Sequence, residues 1–130
     1  MVQLVEYADA SPEVWEIYED IARARGIHPS EVNNAWKAQA IHPENMKRFW
    51  ERAKAIMAPG ALDPLTKELI YLAVSISQQC EYCTASHSYQ ARAKGASEAM
   101  MAEMFAIVGL AVEGNRMASA YRIPVDEKFK

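Results

Sequence analysis

The stretch that decides the fold is DPLTKELIYLAVSIS, which runs from Asp63 to Ser77. Its apolar centre, residues 69–74, has the composition of a buried strand, but the whole run is longer than a typical strand. The dipeptide Asp63-Pro64 is a helix start signal, because proline suits the first helical position and aspartate caps free amides. The Lys-Glu pair that follows also favours a helix. We therefore predict a helix from Pro64 to about Gln78.

Proline marks the start of three further helices on the N-terminal side of this stretch. The dipeptides are Ser11-Pro12, His28-Pro29 and His42-Pro43. They predict helices at about Pro12 to Arg25, Ser30 to Ala40 and Pro43 to Met57. The two histidines are interpreted as boundary residues, since each directly precedes a proline at a helix start.

Two more helices are predicted on the C-terminal side. One runs from about Cys80 to Lys94, and Gly95 suits the left-handed position after a helix end. The other starts near Ser97 and is apolar almost all round, so it is either central to the core or shared with another subunit. We expect Gly114 to interrupt this last helix before a final turn or two.

These elements predict a single all-α domain of six to seven helices over residues 1–130. A chain of 130 residues with 51% hydrophobic residues can bury an ordinary core without disulfides or metals as staples. The apolar last helix makes an oligomer the expected state rather than a lone monomer.

Charge and hydropathy exclude several classes of partner. The net charge of −3 provides no basic field for nucleic acid or anionic lipid, which are bound through clustered Lys and Arg. No apolar stretch approaches the length of a membrane span, and the N-terminus lacks the pattern of a signal peptide. We therefore expect a cytoplasmic protein that binds neither nucleic acid nor membrane.

The chain has two cysteines, Cys80 and Cys83, and His87 follows them. A C-x-x-C pair can form a disulfide, hold a metal or activate a thiol, and in a reducing compartment a structural bridge is the least expected of these. A structural zinc site needs four ligands, and this segment offers three. Two inert, buried thiols are a further alternative. Redox chemistry is the preferred interpretation.

Helix geometry places further groups beside the cysteines. His87 lies four residues after Cys83 and Cys80 three before it, so all three share one face of a helix. If the two helices form an antiparallel pair that turns near Gln78, Glu68 lies opposite His87. We predict a row in which Glu68 orients His87 and His87 takes a thiol proton. The helix dipole favours Cys80 as the reactive thiol and the nearby base favours Cys83, which leaves that choice open.

The arrangement of these residues carries a family resemblance. Glu68 is followed twelve residues later by Cys80-x-x-Cys83, then by three residues and His87, and then by ARAKGAS at residues 91–97. This pattern resembles the alkylhydroperoxidase D branch of the carboxymuconolactone decarboxylase superfamily. One departure is Tyr82, which stands where the best-known members of that branch have a second histidine.

The resemblance extends over residues 61–121 and implies an all-helical fold that assembles as a trimer or hexamer. It implies that Cys83 attacks a peroxide, that Cys80 resolves the product as a disulfide, and that Glu68 and His87 relay protons. It further implies a lipoyl-type or thioredoxin-like dithiol as reductant. The decarboxylase branch usually lacks the cysteine pair, so lactone chemistry rests on analogy alone.

Two functional hypotheses follow. The first is an antioxidant thiol peroxidase that reduces organic hydroperoxides with no cofactor and no metal. The second is a thiol-disulfide module that responds to redox state by changing its oligomer or its partner, without peroxide turnover.

Overall fold

The computed structural model describes residues 1–130 and contains six α-helices, three short 3-10 turns and no strand. The predicted all-α fold is therefore confirmed. The chain divides into two compact units, residues 1–58 and 59–130, and each has its own apolar core. The assignment of residues 1–130 to a single domain stays a prediction. No helix is long and apolar enough to cross a membrane.

The first unit contains three α-helices: α1 (Pro12–Arg25), α2 (Asn34–Gln39) and α3 (Pro43–Met57). The side chains of Ser11 and His42 cap α1 and α3, and both helices begin at the following proline, as predicted. The core of this unit is formed by apolar residues of all three helices, including Tyr18, Ile21, Met46 and Trp50.

The predicted helix from Ser30 to Ala40 is wrong in its first half. Residues Pro29–Glu31 form a separate 3-10 turn, in which His28 and Glu31 cap each other's backbone N–H groups. The backbone is extended at Asn33, and α2 begins only after it. The chain leaves the helical conformation at Val32, where ψ is 142°, so the 3-10 turn and α2 do not join into one helix.

The second unit contains α4 (Pro64–Ser77), α5 (Glu81–Ala93) and α6 (Glu98–Tyr121). Asp63 caps α4 by accepting from the Thr66 N–H, so the segment that decides the fold is a helix as predicted. Helices α4 and α5 form an antiparallel pair joined by a three-residue connection. The core of the unit centres on Leu72 of α4, Ala91 of α5 and Met101 of α6.

Helix α6 continues through Gly114 to Tyr121, so the predicted interruption is wrong. A glycine inside a helix costs only about 1 kcal/mol relative to alanine, which a 24-residue helix tolerates. The helix ends instead where Arg122 adopts a left-handed conformation with φ 49°. Met101, Met104 and Val108 are its buried residues, and every residue from Gly109 to Tyr121 is exposed.

Candidate redox site at the start of α5

The cysteine pair lies where the α4–α5 connection enters α5. Gln79 adopts a left-handed conformation with φ 57°, and the Cys80 N–H then donates to the Ser75 carbonyl over 3.0 Å. Cys80 is therefore the N-cap of α5 in an extended conformation, and not part of its first turn as predicted. Its Sγ accepts a hydrogen bond from the Cys83 N–H at 3.2 Å.

Cys80 and Cys83 are joined by a disulfide, with their Cα atoms 5.3 Å apart. The two sulfurs therefore belong to one redox unit that can be opened to a dithiol without moving the backbone far. On opening, the helix N-terminus and the Cys83 N–H would both stabilise a thiolate on Cys80. His87, four residues after Cys83, stays on the same face of α5.

Glu68 and His87 are in direct contact across the helix pair. The Glu68 Oε2 and His87 Nδ1 atoms are 2.7 Å apart, which confirms the contact predicted from the symmetry of the two positions about the turn. Glu68 is 5% exposed and His87 is largely shielded. With Nδ1 bound to the carboxylate, Nε2 is the ring nitrogen through which His87 can exchange a proton.

Lys94 is a second partner of Glu68 that the sequence reasoning missed. Its Nζ donates to the Glu68 Oε1 at 2.8 Å, so each carboxylate oxygen has its own donor. Lys94 follows His87 by seven residues, which is about two helical turns. That spacing is the signal that would have placed Lys94 on the same side of α5 as His87.

Tyr71 is the other missed member of the site. Its ring stacks on the His87 imidazole, with centroids 3.7 Å apart and planes 22° from parallel. Tyr71 follows Glu68 by three residues on α4, so both project from one face of that helix. The imidazole is thus held in its plane by Glu68 and covered on one face by Tyr71.

The electrostatics of Glu68 combine two opposed effects. Burial raises the pKa of the Glu68 carboxyl, whereas hydrogen bonds from His87 and Lys94 and the Lys94 charge lower it. The lowering effects prevail, and the pKa lies below its ordinary value. Glu68 is therefore a carboxylate at neutral pH, which is the state that can hold an imidazole in one orientation.

The remaining histidines, His28 and His42, belong to the first unit. The Nδ1 atoms of His28 and His42 accept from the backbone N–H groups of Ser30 and Asn45, which confirms their interpretation as boundary residues. No group of three or more His, Cys, Asp or Glu side chains is arranged to hold a metal ion.

Known proteins resemble this chain in sequence and in fold. A family model described as the carboxymuconolactone decarboxylase family matches residues 43–126. The crystal structure of the alkylhydroperoxidase AhpD core from Rhodospirillum rubrum is 47% identical, with a TM-score of 0.94, over 99% of this chain and 96% of that one. A Paracoccus denitrificans protein named "Uncharacterized protein 4 in cox locus" is 40% identical over 55 residues, which are 42% of this chain and 50% of that protein. This match thus spans half the length of the Paracoccus relative.

Proposed function

Since the chain belongs to the carboxymuconolactone decarboxylase family, we propose that it is an antioxidant thiol peroxidase that reduces organic hydroperoxides through Cys80 and Cys83. The observation that carries this proposal is the contact between buried Glu68 and His87, four residues beyond a disulfide-bonded C-x-x-C pair. A thiol, a base and a group that orients the base are the three parts of an activated nucleophile. The similarity of this chain to the alkylhydroperoxidase core from Rhodospirillum rubrum supports the same interpretation.

In the proposed reaction the reduced pair starts as two thiols. His87 accepts the Cys83 proton at Nε2, and the thiolate attacks the terminal oxygen of the hydroperoxide. The O–O bond breaks, Cys83 becomes a sulfenic acid, and the departing alkoxide takes the proton from the imidazolium to leave as an alcohol. The Cys80 thiol then condenses with the sulfenic acid, which releases water and restores the disulfide.

A dithiol of lipoyl or thioredoxin type completes the cycle by thiol-disulfide exchange. It is oxidised to its own disulfide while Cys80 and Cys83 return to thiols, so each cycle consumes one hydroperoxide and one dithiol. The hydrogen bond from the Cys83 N–H to the Cys80 Sγ supports Cys80 as the leaving thiolate in this step. We propose a cytoplasmic location, because thiols are kept reduced in that compartment.

We assign the peroxide-attacking role to Cys83 and the resolving role to Cys80. Two effects compete, since the N-cap position of Cys80 favours its thiolate and the base on the same helix face favours Cys83. The family resemblance supports Cys83. Tyr82 replaces the second histidine of the best-known members, so His87 alone serves as the imidazole of the relay.

Steady-state consumption of cumene hydroperoxide with dihydrolipoamide as reductant tests this function. The proposal expects many equivalents of peroxide to be consumed per protein, and Cys83→Ser to abolish consumption. If both cysteines are replaced by serine and peroxide consumption persists, the thiol mechanism is wrong. Activity on a lactone that survives this double replacement would support decarboxylase chemistry instead.

The second candidate function is a redox-responsive oligomer, and an exposed apolar face of α6 favours it. Four exposed apolar residues, separated by three, seven and four positions, form one stripe on that helix, which we call the α6 stripe: Ile107, Leu110, Met117 and Tyr121. Ile107 is 64% and Leu110 71% exposed, and neither belongs to the apolar core that Met101, Met104 and Val108 join. A single stoichiometric oxidation by peroxide, accompanied by a change in oligomer size, would support this function over the peroxidase.

We also propose that the chain forms a homo-oligomer, a trimer or a hexamer, whichever function holds. An exposed apolar stripe on a long helix is typical of a surface that another subunit covers. A second copy of this chain is the expected occupant, because the family resemblance implies a homo-oligomer.

A further inference from the structure

We propose that Lys94 is a positioning residue of the redox site, whose positive charge sets the pH range in which the cysteine pair reacts. The inference rests on the proposed thiol chemistry and adds a residue to it. Lys94 touches neither cysteine in this role and acts through Glu68.

The contacts divide the Glu68 carboxylate between two donors. Oε2 is 2.7 Å from the His87 Nδ1, and Oε1 is 2.8 Å from the Lys94 Nζ. The Glu68 side chain is 6% exposed and that of Lys94 is 35% exposed, so the ion pair is only partly screened by water. Without Lys94, Glu68 would present an uncompensated buried charge to His87.

Lys94 supplies the positive charge that is paired with the Glu68 carboxylate. The charged and titratable groups that face the cluster are Glu68 and Tyr71 from α4, and His87 and the cysteine pair from α5. Helix α6 belongs to the same unit and packs on α4. The acidic residue in its first turn, Glu98, is paired with Arg92 at 2.7 Å. The opposite charges of Lys94 and Glu68 therefore leave the net charge of the Lys94, Glu68 and His87 group close to zero before His87 takes a proton.

Removing the Lys94 charge has a defined electrostatic direction. A cluster with one positive charge fewer holds its protons more tightly, so a thiolate forms at higher pH. Lys94 and Cys83 are eleven residues apart along α5, about 16 Å between Cα atoms, and at that range an effective dielectric constant of about 20 gives an upward shift of up to about one pH unit. A purely structural lysine would affect stability and leave this midpoint in place.

The test measures iodoacetamide alkylation of the reduced protein between pH 5 and 10, with mass spectrometry locating the label on Cys80 and Cys83. In Lys94→Met we expect the midpoint of the alkylation curve to rise by about one pH unit. Lys94→Arg keeps the charge and should stay near the wild-type midpoint. Lys94→Gln can still donate to Glu68 without a charge, so it should shift like Lys94→Met and provides the test if Lys94→Met does not fold.

Overlapping curves for wild type and the two uncharged variants would overturn the proposal. An equal shift of the midpoint in Lys94→Arg would also overturn the proposal, because it would show that the shape of the side chain and not its charge sets the midpoint. Alkylation needs no peroxide, so a failure of the peroxidase proposal would appear as absent turnover and leave this measurement unaffected. Conversely, peroxide turnover with unchanged midpoints would overturn only the role of Lys94.

Discussion

At the scale of single residues, the buried carboxylate of Glu68 is the centre of the candidate site. It accepts from His87 and Lys94, and Tyr71 fixes the face of the imidazole that Glu68 orients. A base that is held by two neighbours needs little reorganisation when it takes a proton. We propose that this arrangement prepares His87 for proton transfer with Cys83.

Replacing Glu68 by glutamine tests the orienting role. The amide of Glu68→Gln can still form a hydrogen bond but no longer stabilises the imidazolium, so we expect kcat/KM for hydroperoxide reduction to fall about 10- to 100-fold. Steady-state assays at pH 7 measure the loss. Glu98→Gln is the matched control, because Glu98 pairs with Arg92 outside the site and should have little effect on the rate. A rate unchanged in Glu68→Gln would contradict the relay.

The contribution of Glu68 to the free energy of unfolding should depend on pH. Its pKa is lowered in the folded protein, so the carboxylate stabilises the fold above the pKa of the unfolded chain, about 4.3. That stabilisation is lost as pH falls through the lower, folded pKa. At pH 7 we expect Glu68→Gln to reduce the free energy of unfolding by about 1–3 kcal/mol.

Urea unfolding of wild type and Glu68→Gln between pH 7 and 3 measures this dependence. The difference between the two proteins should be constant down to about pH 5 and shrink below it. A difference that grows as the solution is acidified would mean that the pKa of Glu68 is raised in the fold, contrary to our expectation.

The stacking of Tyr71 on His87 gives another residue-scale prediction. Tyr71→Ala removes the ring that restrains the imidazole, and we expect kcat/KM to fall by about tenfold or less, in keeping with a stacking energy near 1 kcal/mol. Tyr71→Phe keeps the ring and removes only the hydroxyl, so it should retain the wild-type rate. Equal losses in both variants would assign the effect to the hydroxyl and not to the stack.

At the scale of elements, the pairing of α4 with α5 was predictable and the start of α5 was not. Two helices joined by a tight turn bring positions equidistant from the turn together, and so Glu68 and His87 could be matched from their numbers alone. Cys80 was misplaced because its N-cap conformation depends on the left-handed backbone at Gln79, where no glycine or asparagine signals it. The spacings of seven residues from His87 to Lys94 and three from Glu68 to Tyr71 place each pair on one helix face, but they do not show that the side chains reach the site, so both residues were missed.

The other element-scale errors have local causes. The break before α2 lies at Val32 and Asn33, a β-branched residue and a residue type favoured at helix N-caps, which the helix prediction from Ser30 to Ala40 overlooked. The continuity of α6 through its glycines arises because the helix is long enough to absorb their conformational cost.

Two glycines in the second unit test this view of α6. An added Cβ at Gly109 meets nothing within 4 Å, so Gly109→Ala should raise the free energy of unfolding by up to about 1 kcal/mol. Gly95 has φ +100°, and Gly95→Ala should destabilise the protein despite equal space around it. Urea denaturation distinguishes them. Destabilisation by Gly109→Ala would mean that α6 is not a continuous helix at that point.

At the scale of the whole molecule, the α6 stripe is the feature that a single chain leaves unexplained. Its residues are exposed and apolar, on a helix whose half beyond Val108 contributes nothing to the apolar core. Water contact with such a stripe is unfavourable, by roughly 25 cal/mol for each Å² that association would cover. The all-round apolar character of the segment predicted this surface, and subunit number stays a prediction.

Leu110→Glu tests whether the stripe is a subunit interface. We expect light scattering after size exclusion to give a trimer or hexamer for wild type and a smaller species for the variant, because a buried charge would oppose assembly. Arg116→Glu changes charge on the same helix outside the stripe and should leave the oligomer intact. A wild-type protein that elutes as a monomer would contradict the proposed assembly.

The proposed chemistry depends on Cys83 being the thiol that attacks peroxide. To identify that thiol, reduced Cys80→Ser is treated with one equivalent of cumene hydroperoxide, sulfenic acid is trapped with dimedone, and the adduct is located by peptide mass spectrometry. We predict the adduct on Cys83, and its strong reduction when Glu68→Gln is added. An unlabelled Cys83, together with an adduct on Cys80 in the converse Cys83→Ser protein, would contradict the assignment.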